Sequence, residues 1–388
     1  MIRKSRIRVY PGLINDIVRT VLAENVGKGE YLKSFPAVFA EFINVKYAMF
    51  VPSDTVGIRF LLSGMGLNAS DEIIMPAYAS GFVSRLSRQN SIIAKHVDVD
   101  ADSFNIDPDR IEAAITSHSK AVVASHMFGL PCDIEKVLHI AHKNGLKVIE
   151  DCTHSVGASS GNRQTGSFGD VAYFSLSTDG LLNTLGGGVI VTSDGEMARA
   201  MQAMITDDIR RSPKFPSSLR FLRKAICVLV ERLFIERVMS GLNVPVPDRI
   251  ERECARFTNL QALIGMKQLS MLNKLNARRR AAAQWYDSRL NDYAAFQRSG
   301  RGVQRVYHRY VANYPVMEQD PGKIKVFGRS KGVEVGIRSD IATVAGISGD
   351  AAAKFPVSSS LYDSNIQLPL FDDMKLSDRE AVMKIFRK

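Results

Sequence analysis

The chain has 388 residues, of which 45% are hydrophobic and 23% are charged, and its formal net charge is +11. This composition is ordinary for a soluble globular protein and excludes collagen-like and low-complexity chains. The length is too great for one simple core and predicts a large α/β domain with a smaller second domain. The positive charge favours nucleotide-sugars, anionic lipid or nucleic acid as partners, or serves solubility alone.

The four cysteines and the N-terminal residues indicate a reducing compartment. The cysteines are scattered, without the paired spacing of a zinc site: Cys132, Cys152, Cys227 and Cys254. Free thiols are the usual state of such cysteines in a cytoplasm. Residues 1–12 are basic but lack the apolar stretch of a signal peptide, so we expect a cytoplasmic protein.

The first half of the chain alternates strands with helices. Residues 13–25 and 31–44 read as amphipathic helices, and a strand, a turn and a helix follow between Tyr47 and about Gly66. Continuous apolar runs predict further strands at residues 72–75, 94–97, 121–125, 147–150, 171–175 and 188–192. A helix before the strand at 147 is closed by Gly145. This alternation predicts a doubly wound α/β domain with a mostly parallel sheet.

The pattern changes near Thr258. Residues 258–290 read as one long helical stretch, followed by a strand at 307–314, a helix at 323–332, a strand or loop at 365–370 and a closing helix. We therefore predict a large domain over residues 1–257, and a connecting helix with a small C-terminal α/β domain over residues 258–388.

Several sequence blocks occur together in a fixed order. They include KYAMFVPSDTVGIRFLLSGMG from Lys46, HMFGLPCDIEKVLHIAHKNGLKVIEDCTHSVGA from His126, GSFGDVAYFSLS from Gly166 and RFTNLQALIGMKQL from Arg256. With these blocks the chain resembles the DegT/DnrJ/StrS family of aminotransferases, which use pyridoxal phosphate (PLP). The resemblance implies the type I aminotransferase fold, a homodimer, and a role with keto-sugars on nucleotides for surface polysaccharides, lipopolysaccharide or antibiotics.

The resemblance also implies roles for individual residues. Asp151 corresponds to the carboxylate that pairs with the pyridine nitrogen, and the alternative interpretation is a strand-end acid that caps a loop. Thr55 and Ser175 correspond to hydroxyls that contact the cofactor phosphate, and Thr55 lies at a turn into a helix, where an anion is favoured. His154 corresponds to the residue beside the ring hydroxyl.

Gly180 stands where the family keeps the lysine that bonds covalently to PLP. Counted without gaps from Phe174 or from the glycines that end at Gly188, the lysine position falls on Gly180, and no lysine lies between Lys147 and Lys214. Glycine offers neither a nucleophile nor a base, and acid–base help alone contributes about 10²–10⁴-fold. We therefore predict that ordinary transamination is very slow or absent.

Two further residues depart from the family pattern around the cofactor. Asp54 replaces the glycine expected before Thr55 and adds a negative charge near the phosphate position, where like charges repel. Ser80 occupies the position where an aromatic ring usually stacks on the cofactor. Together with Gly180, these departures predict that binding of PLP, or of its amine form PMP, is weakened.

An insert over residues 207–249 is basic and apolar. Within residues 219–241, Leu222, Ile226, Leu229 and Leu233 fall on one helical face, while internal charges exclude a simple membrane span. Such a helix would lie in a membrane interface, or pack on the partner subunit or over the active-site mouth; the second interpretation is slightly favoured. Membrane contact would make a lipid-linked sugar a candidate substrate.

Three hypotheses for function stay open at this point. The chain is an altered enzyme on nucleotide-linked or lipid-linked sugars that uses PLP or PMP, a non-catalytic scaffold or regulatory partner of an active aminotransferase, or a cofactor-free enzyme. A nucleic-acid role rests on net charge alone and ranks last, because the sequence has no basic helix-turn-helix motif.

Overall fold

A computed structural model describes residues 2, 10, 12–23, 28–211, 256–290, 295–298, 300, 302–313, 321–336 and 353–386. Most of the insert predicted over residues 207–249, including the helix at 219–241, lies outside these residues. Within the described ranges no helix combines the length and the apolar character that a membrane crossing requires.

Helices and strands alternate through the first half of the chain, as the sequence predicts. The helices are α1 Leu13–Leu22, α2 Glu30–Ile43, α3 Asp54–Gly64, α4 Gly81–Leu86, α5 Pro108–Ala114, α6 Ile134–Lys143, α7 Gly195–Arg211, α8 Asn259–Leu269, α9 Leu272–Leu290, α10 Pro321–Ser330, α11 Pro356–Ser364 and α12 Leu376–Met383. The strands are β1 Tyr47–Val51, β2 Glu72–Pro76, β3 Ile93–Val97, β4 Ser119–Ser125, β5 Lys147–Asp151, β6 Ser159–Ser160, β7 Arg163–Gln164, β8 Val171–Ser175, β9 Gly188–Thr192, β10 Ala295–Phe296, β11 Val303–Gln304, β12 Tyr310–Asn313 and β13 Asn365–Leu368.

The chain divides into two compact units, and both are discontinuous in sequence. The first unit contains Met1–Arg6, Met65–Phe174 and Met271–Lys388, and the second contains Ile7–Gly64 and Ser175–Ser270. The predicted division into residues 1–257 and 258–388 stays a prediction.

The first unit is built on parallel strands in the order β8-β5-β4-β2-β3. The strands β4 and β5 are buried along almost their whole length, which explains their continuous apolar sequences. Parallel pairing places Ser125, the last residue of β4, directly beside Asp151, the last residue of β5. The carboxyl ends of these strands thus bring polar side chains together at one edge.

Helix α6 shows how local sequence sets the crossover between β4 and β5. Asp133 caps its first turn by accepting a hydrogen bond from the Lys136 amide, and apolar residues on one face are buried. Gly145 follows with a φ of 67°, a left-handed conformation that glycine adopts readily, so the predicted helix end is confirmed.

A second core of the first unit joins α9 to the C-terminal residues. The strands β10, β12 and β13 form an antiparallel sheet, against which Tyr286 and Leu290 of α9 pack. Arg279, also in α9, is buried and donates hydrogen bonds to the carbonyls of Tyr307, His308 and Leu370. These carbonyl acceptors offset the cost of burying the guanidinium charge and tie α9 to the segments at residues 307–308 and 370.

The second unit contains an antiparallel pair, β1 with β9, and packs α2 against α8. Aromatic rings fill the space beside β1: Phe50 stacks on Phe35 with ring centroids 4.4 Å apart, and Phe257 lies 4.8 Å from Phe50. Because aromatic pairs bury large apolar areas, this cluster accounts for much of the packing around β1.

The prediction of one long helix over residues 258–290 is wrong. Helix α8 ends at Leu269 and α9 begins at Leu272, and the Ser270 side chain accounts for part of the break by bonding the carbonyl of Lys267. A serine hydroxyl that bonds a nearby backbone carbonyl competes with the helical hydrogen-bond pattern. Thr258 and Gln261 form a capping box that fixes the start of α8.

Candidate functional site

Asp151 ends β5 with its carboxylate buried among hydroxyl donors of the first unit. Oδ2 accepts hydrogen bonds from the hydroxyls of Ser80, at 2.6 Å, and Ser125, at 3.1 Å. Oδ1 accepts from the hydroxyl of Thr153 at 2.7 Å and from the Thr153 amide at 3.1 Å. Two oxygens of an ionised carboxylate offer about four acceptor sites, so these four bonds use the hydrogen-bonding capacity of Asp151.

Ser80 combines two roles at this position. It is the N-cap residue of α4, where its hydroxyl oxygen accepts a hydrogen bond from the Val83 amide at 3.4 Å. The same hydroxyl donates to Asp151, and Ser80 is only 3% exposed. An aromatic side chain, which the family resemblance leads one to expect here, carries no hydroxyl on Cβ and so cannot cap α4 in this way. Ser80 therefore connects the start of α4 with the surroundings of Asp151.

His154 lies three residues beyond Asp151, in a stack of rings within the first unit. Its ring is nearly parallel to that of His308 at a centroid distance of 4.2 Å and to that of Phe128 at 5.8 Å. Its Nδ1 accepts a hydrogen bond from the Phe128 amide at 3.4 Å. The neutral imidazole in this arrangement carries its proton on Nε2. The ring plane of His154 is thus fixed by packing, and its side chain stays half-buried.

A buried cluster lies beside Asp151 in sequence, formed by His126, Glu150 and Cys152. Their ligand-type atoms lie within 4.8 Å of one another, a spacing at which a metal ion could be held. Nδ1 of His126 accepts from the Cys132 amide and Nε2 contacts Glu150 at 3.1 Å, so both ring nitrogens are engaged. Burial raises the pKa of the Cys152 thiol to about 12, which keeps it protonated at neutral pH.

Glu150 of that cluster binds the backbone of residues 166–169, which lead into β8. Its carboxylate accepts hydrogen bonds from the amides of Gly166, Phe168 and Gly169 at 2.7–2.8 Å. These bonds satisfy a fully buried charge with backbone donors, as buried carboxylates require. The cluster is therefore a structural hydrogen-bond network.

In the second unit, Asp54 is the first residue of α3 and faces Ser175. The Ser175 hydroxyl donates a hydrogen bond of 3.0 Å to Asp54 Oδ1, and Asp54 is only 7% exposed. A negative group at a helix N-terminus is favoured by the helix dipole. The structure thus brings together two of the residues predicted for the phosphate position, whereas Thr55, the next residue of α3, is exposed.

Gly180 lies in a turn, and its amide donates a hydrogen bond of 3.1 Å to the carbonyl of Ser177. A Cβ at Gly180 would meet the carbonyl oxygens of Leu182, Ser177 and Ser175 at 3.1, 3.2 and 3.4 Å. At these distances the neighbouring carbonyls would have to move by a few tenths of an ångström to accept a side chain. The φ of Gly180 is outside the left-handed region, so the backbone conformation itself is compatible with other residues.

Two glutamines of α8 form hydrogen bonds with the backbone of the segment that follows Gly180. Gln268 Nε2 donates to the carbonyl of Asn183 at 2.6 Å, and its Oε1 accepts from the Asn183 amide at 3.0 Å. Gln261 Nε2 donates to the carbonyl of Gly186 at 2.9 Å. These paired bonds hold the loop between β8 and β9 in one conformation.

The residues present in the two units do not fit PLP in the manner that the family resemblance implies. A phosphate dianion near Ser175 would approach the buried carboxylate of Asp54, and like charges at short range repel. A protonated ring nitrogen at Asp151 would compete with four hydrogen bonds already made by protein groups. Gly180 supplies no amine.

Sequence reasoning missed Ser125, Thr153, Gln261 and Gln268. Thr153 follows Asp151 by two residues, a spacing typical of aspartate side chains that bond a nearby backbone amide, and this signal could have identified it. Ser125 could have been found from the expected pairing of β4 with β5. The contacts of Gln268 with Asn183 join residues 85 positions apart, and no local pattern predicts them.

The sequence matches one known family over almost its whole length. A family model described as the DegT/DnrJ/EryC1/StrS aminotransferase family matches residues 13–387. The chain belongs to this family.

Curated relatives within the family act in sugar metabolism. GDP-perosamine synthase from Caulobacter vibrioides is 30% identical over 269 residues, which are 68% of this chain and 62% of that protein. The match therefore spans less than two thirds of that relative's length. The spore coat polysaccharide biosynthesis protein SpsC from Bacillus subtilis is 25% identical over 391 residues, 96% of this chain and 93% of its own.

Solved structures of the family show the same fold. The Escherichia coli GDP-4-keto-6-deoxy-D-mannose-3-dehydratase with bound hydrated PLP superposes with a TM-score of 0.79 at 19% identity, covering 100% of this chain and 99% of that one. The predicted fold class, α/β of the type I PLP-transferase kind with a mostly parallel sheet, is confirmed.

Proposed function

We propose that this protein acts in nucleotide-sugar metabolism for polysaccharide synthesis as a family member that binds the sugar nucleotide without PLP-dependent transamination. The sugar part of the proposal rests on the family and on relatives such as GDP-perosamine synthase and SpsC. The loss of transamination rests on the chain's own residues.

The contact between Ser175 and Asp54 carries the proposal. In the sequence resemblance Ser175 is a phosphate-contacting hydroxyl, yet here it donates to a buried carboxylate of the same unit. An internal anion at the start of α3 already takes the favourable interaction with the helix dipole that a bound phosphate would receive. A cofactor phosphate would have to displace or protonate that carboxylate.

The surroundings of Asp151 and Gly180 support the same conclusion. Asp151 accepts hydrogen bonds from Ser80, Ser125 and Thr153, so its side-chain oxygens have partners without a cofactor ring beside them. Gly180 leaves the covalent attachment position without an amine. Each of these features by itself argues against ordinary use of PLP.

A direct binding experiment tests the proposal. Purified protein is titrated with PLP and with PMP while visible absorbance and binding heat are recorded, and with GDP- and UDP-linked sugars by calorimetry. We expect a sugar nucleotide to bind and PLP to bind weakly or not at all. Tight PLP binding with amino-group transfer from glutamate or glutamine to a keto-sugar would refute the proposal.

Three narrower roles are distinguished when these binding measurements are combined with assays of turnover and co-purification. Binding of PMP with water loss from a keto-sugar would make the protein a dehydratase-like enzyme. Binding of a sugar nucleotide without any turnover, combined with co-purification of an active family member, would make it a scaffold or regulatory partner. Sugar conversion without either cofactor form would make it a cofactor-free enzyme.

We also infer a homodimer, as the family resemblance implies. Sedimentation equilibrium should give twice the chain mass of 42.9 kDa. A mass of one chain over the whole concentration range contradicts the inference.

A further inference from the structure

A polar cavity lies within the first unit, apart from every residue predicted for the cofactor. It has a volume of about 260 Å³ and lies among the β6–β7 hairpin, β11 and α9. Its polar lining side chains are Ser159, Asn162, Gln164, Asn273, Arg280 and Gln304. No carboxylate is among the described residues that line it.

Arg280 is the charged group of this cavity. It is half-buried in α9, and it makes neither an ion pair nor a hydrogen bond with any other described residue. Its neighbour Arg279, in contrast, is buried and uses its guanidinium on backbone carbonyls. A guanidinium facing a cavity without a counterion favours a carboxylate or a phosphate group, which its planar fork can bind through two parallel hydrogen bonds.

The remaining lining groups select for a ligand rich in hydroxyls. Asn162, Asn273 and Gln304 each offer an amide donor and an amide acceptor, and a sugar hydroxyl both donates and accepts. The volume is slightly below the range of about 300–1,000 Å³ in which drug-sized ligands bind. This size suits one sugar ring and is too small for a whole nucleotide-sugar.

We propose that this cavity binds an anionic monosaccharide, with its carboxylate or phosphate on Arg280 and its hydroxyls on the surrounding amides. The inference does not depend on the proposed function, because none of the residues predicted to contact a cofactor lines the cavity. It assigns the chain a second saccharide site in addition to any sugar-nucleotide site.

Ligand-observed NMR and calorimetry on the full chain test the site, with glucuronate, glucose 6-phosphate and glucose as probes. We expect one or both anionic sugars to bind and glucose to bind at least about tenfold more weakly. Preference for glucuronate identifies a uronic acid site, and preference for glucose 6-phosphate identifies a sugar-phosphate site. Absence of binding by both anionic probes, or equal binding of glucose, overturns the proposal.

Two variants and a matched control locate the binding. Arg280→Gln should weaken the anionic sugar by roughly 10- to 100-fold, as expected for loss of charge-assisted hydrogen bonds. Asn273→Asp places a carboxylate on an exposed lining residue and should weaken it without affecting folding. Arg278→Gln removes the same charge from an exposed position two residues earlier in α9 and should change affinity less than about twofold. Equal effects of Arg278→Gln and Arg280→Gln would show that only net charge matters and would refute the site.

Discussion

The Ser80 hydroxyl donates a hydrogen bond of 2.6 Å to Asp151 Oδ2 while it caps the first turn of α4. One small side chain thereby stabilises a helix terminus and a buried carboxylate together. Ser80 therefore determines the local hydrogen bonding at the carboxyl ends of β4 and β5 as well as the start of α4.

Replacement of Ser80 by alanine should lower the free energy of unfolding by about 1–3 kcal/mol, because it removes a helix cap and one donor to a buried carboxylate. Chemical denaturation measures this change. Ser34→Ala, at an exposed position of α2, is the control and should alter stability by less than about 0.5 kcal/mol. Equal effects of the two substitutions would show that the hydrogen bonds of Ser80 do not stabilise the fold.

Replacement of Asp54 by asparagine should strengthen phosphate binding. The variant keeps the size of the side chain and removes its negative charge beside Ser175. We expect PLP to bind about tenfold or more tightly than it does to the original protein, equivalent to ~1.4 kcal/mol. Asp208→Asn removes a charge from the surface pair with Arg59 and serves as control. If both variants bind PLP as the original protein does, Asp54 does not oppose the phosphate.

Introduction of lysine at Gly180 tests whether this is the covalent attachment position. The surrounding carbonyls lie 3.1–3.4 Å from the new Cβ, so the variant should fold with a loss of about 1 kcal/mol or less. Combined with Asp54→Asn, Gly180→Lys should produce a visible imine band with PLP. Borohydride should abolish that band and leave the cofactor attached permanently, as an added mass on the peptide that contains residue 180. Asp179→Lys, one residue earlier and exposed, should produce no such band. An equal band in the control would assign the position elsewhere.

Replacement of Gln268 by leucine should loosen the loop that follows Gly180. The change leaves the amide and the carbonyl of Asn183 without their partners, at a cost of about 2–4 kcal/mol. The rate of amide hydrogen exchange should increase more at residues 176–187 than in the rest of the chain. Gln202→Leu, at an exposed site of α7, is the control; unchanged exchange in the Gln268 variant would mean that other contacts hold the loop.

Stability should fall with acid partly through His96 on β3. Burial lowers the pKa of His96 below its ordinary value near 6.5, so below that pH the unfolded chain binds a proton that the folded chain resists. Its contribution is complete above pH 6.5 and declines as the pH falls towards the folded pKa. Denaturation midpoints between pH 7 and pH 5 should therefore decline less steeply in His96→Gln. The same change at exposed His118 should leave the slope as it is, and an unchanged slope in both would contradict the assignment.

Sequence patterns predicted most strands and several helices of the first half of the chain with errors of only a few residues, whereas α4, α5, β6 and β7 were missed. Buried parallel strands have continuous apolar sequences, and glycine at the end of α6 marks its termination, so these elements are encoded locally. The break between α8 and α9 was missed, since both helices share an apolar periodicity and only Ser270 with Met271 separates them.

The sequence by itself determined the family, the fold class and the absence of lysine at positions 148–213, because each follows from residue identity and order. Tertiary structure alone decided that Ser175 donates to Asp54 and that Ser80, Ser125 and Thr153 saturate Asp151. Hydrogen bonds depend on distances of a few tenths of an ångström between atoms far apart in the chain. Residue order does not specify such distances until the strands and helices have packed.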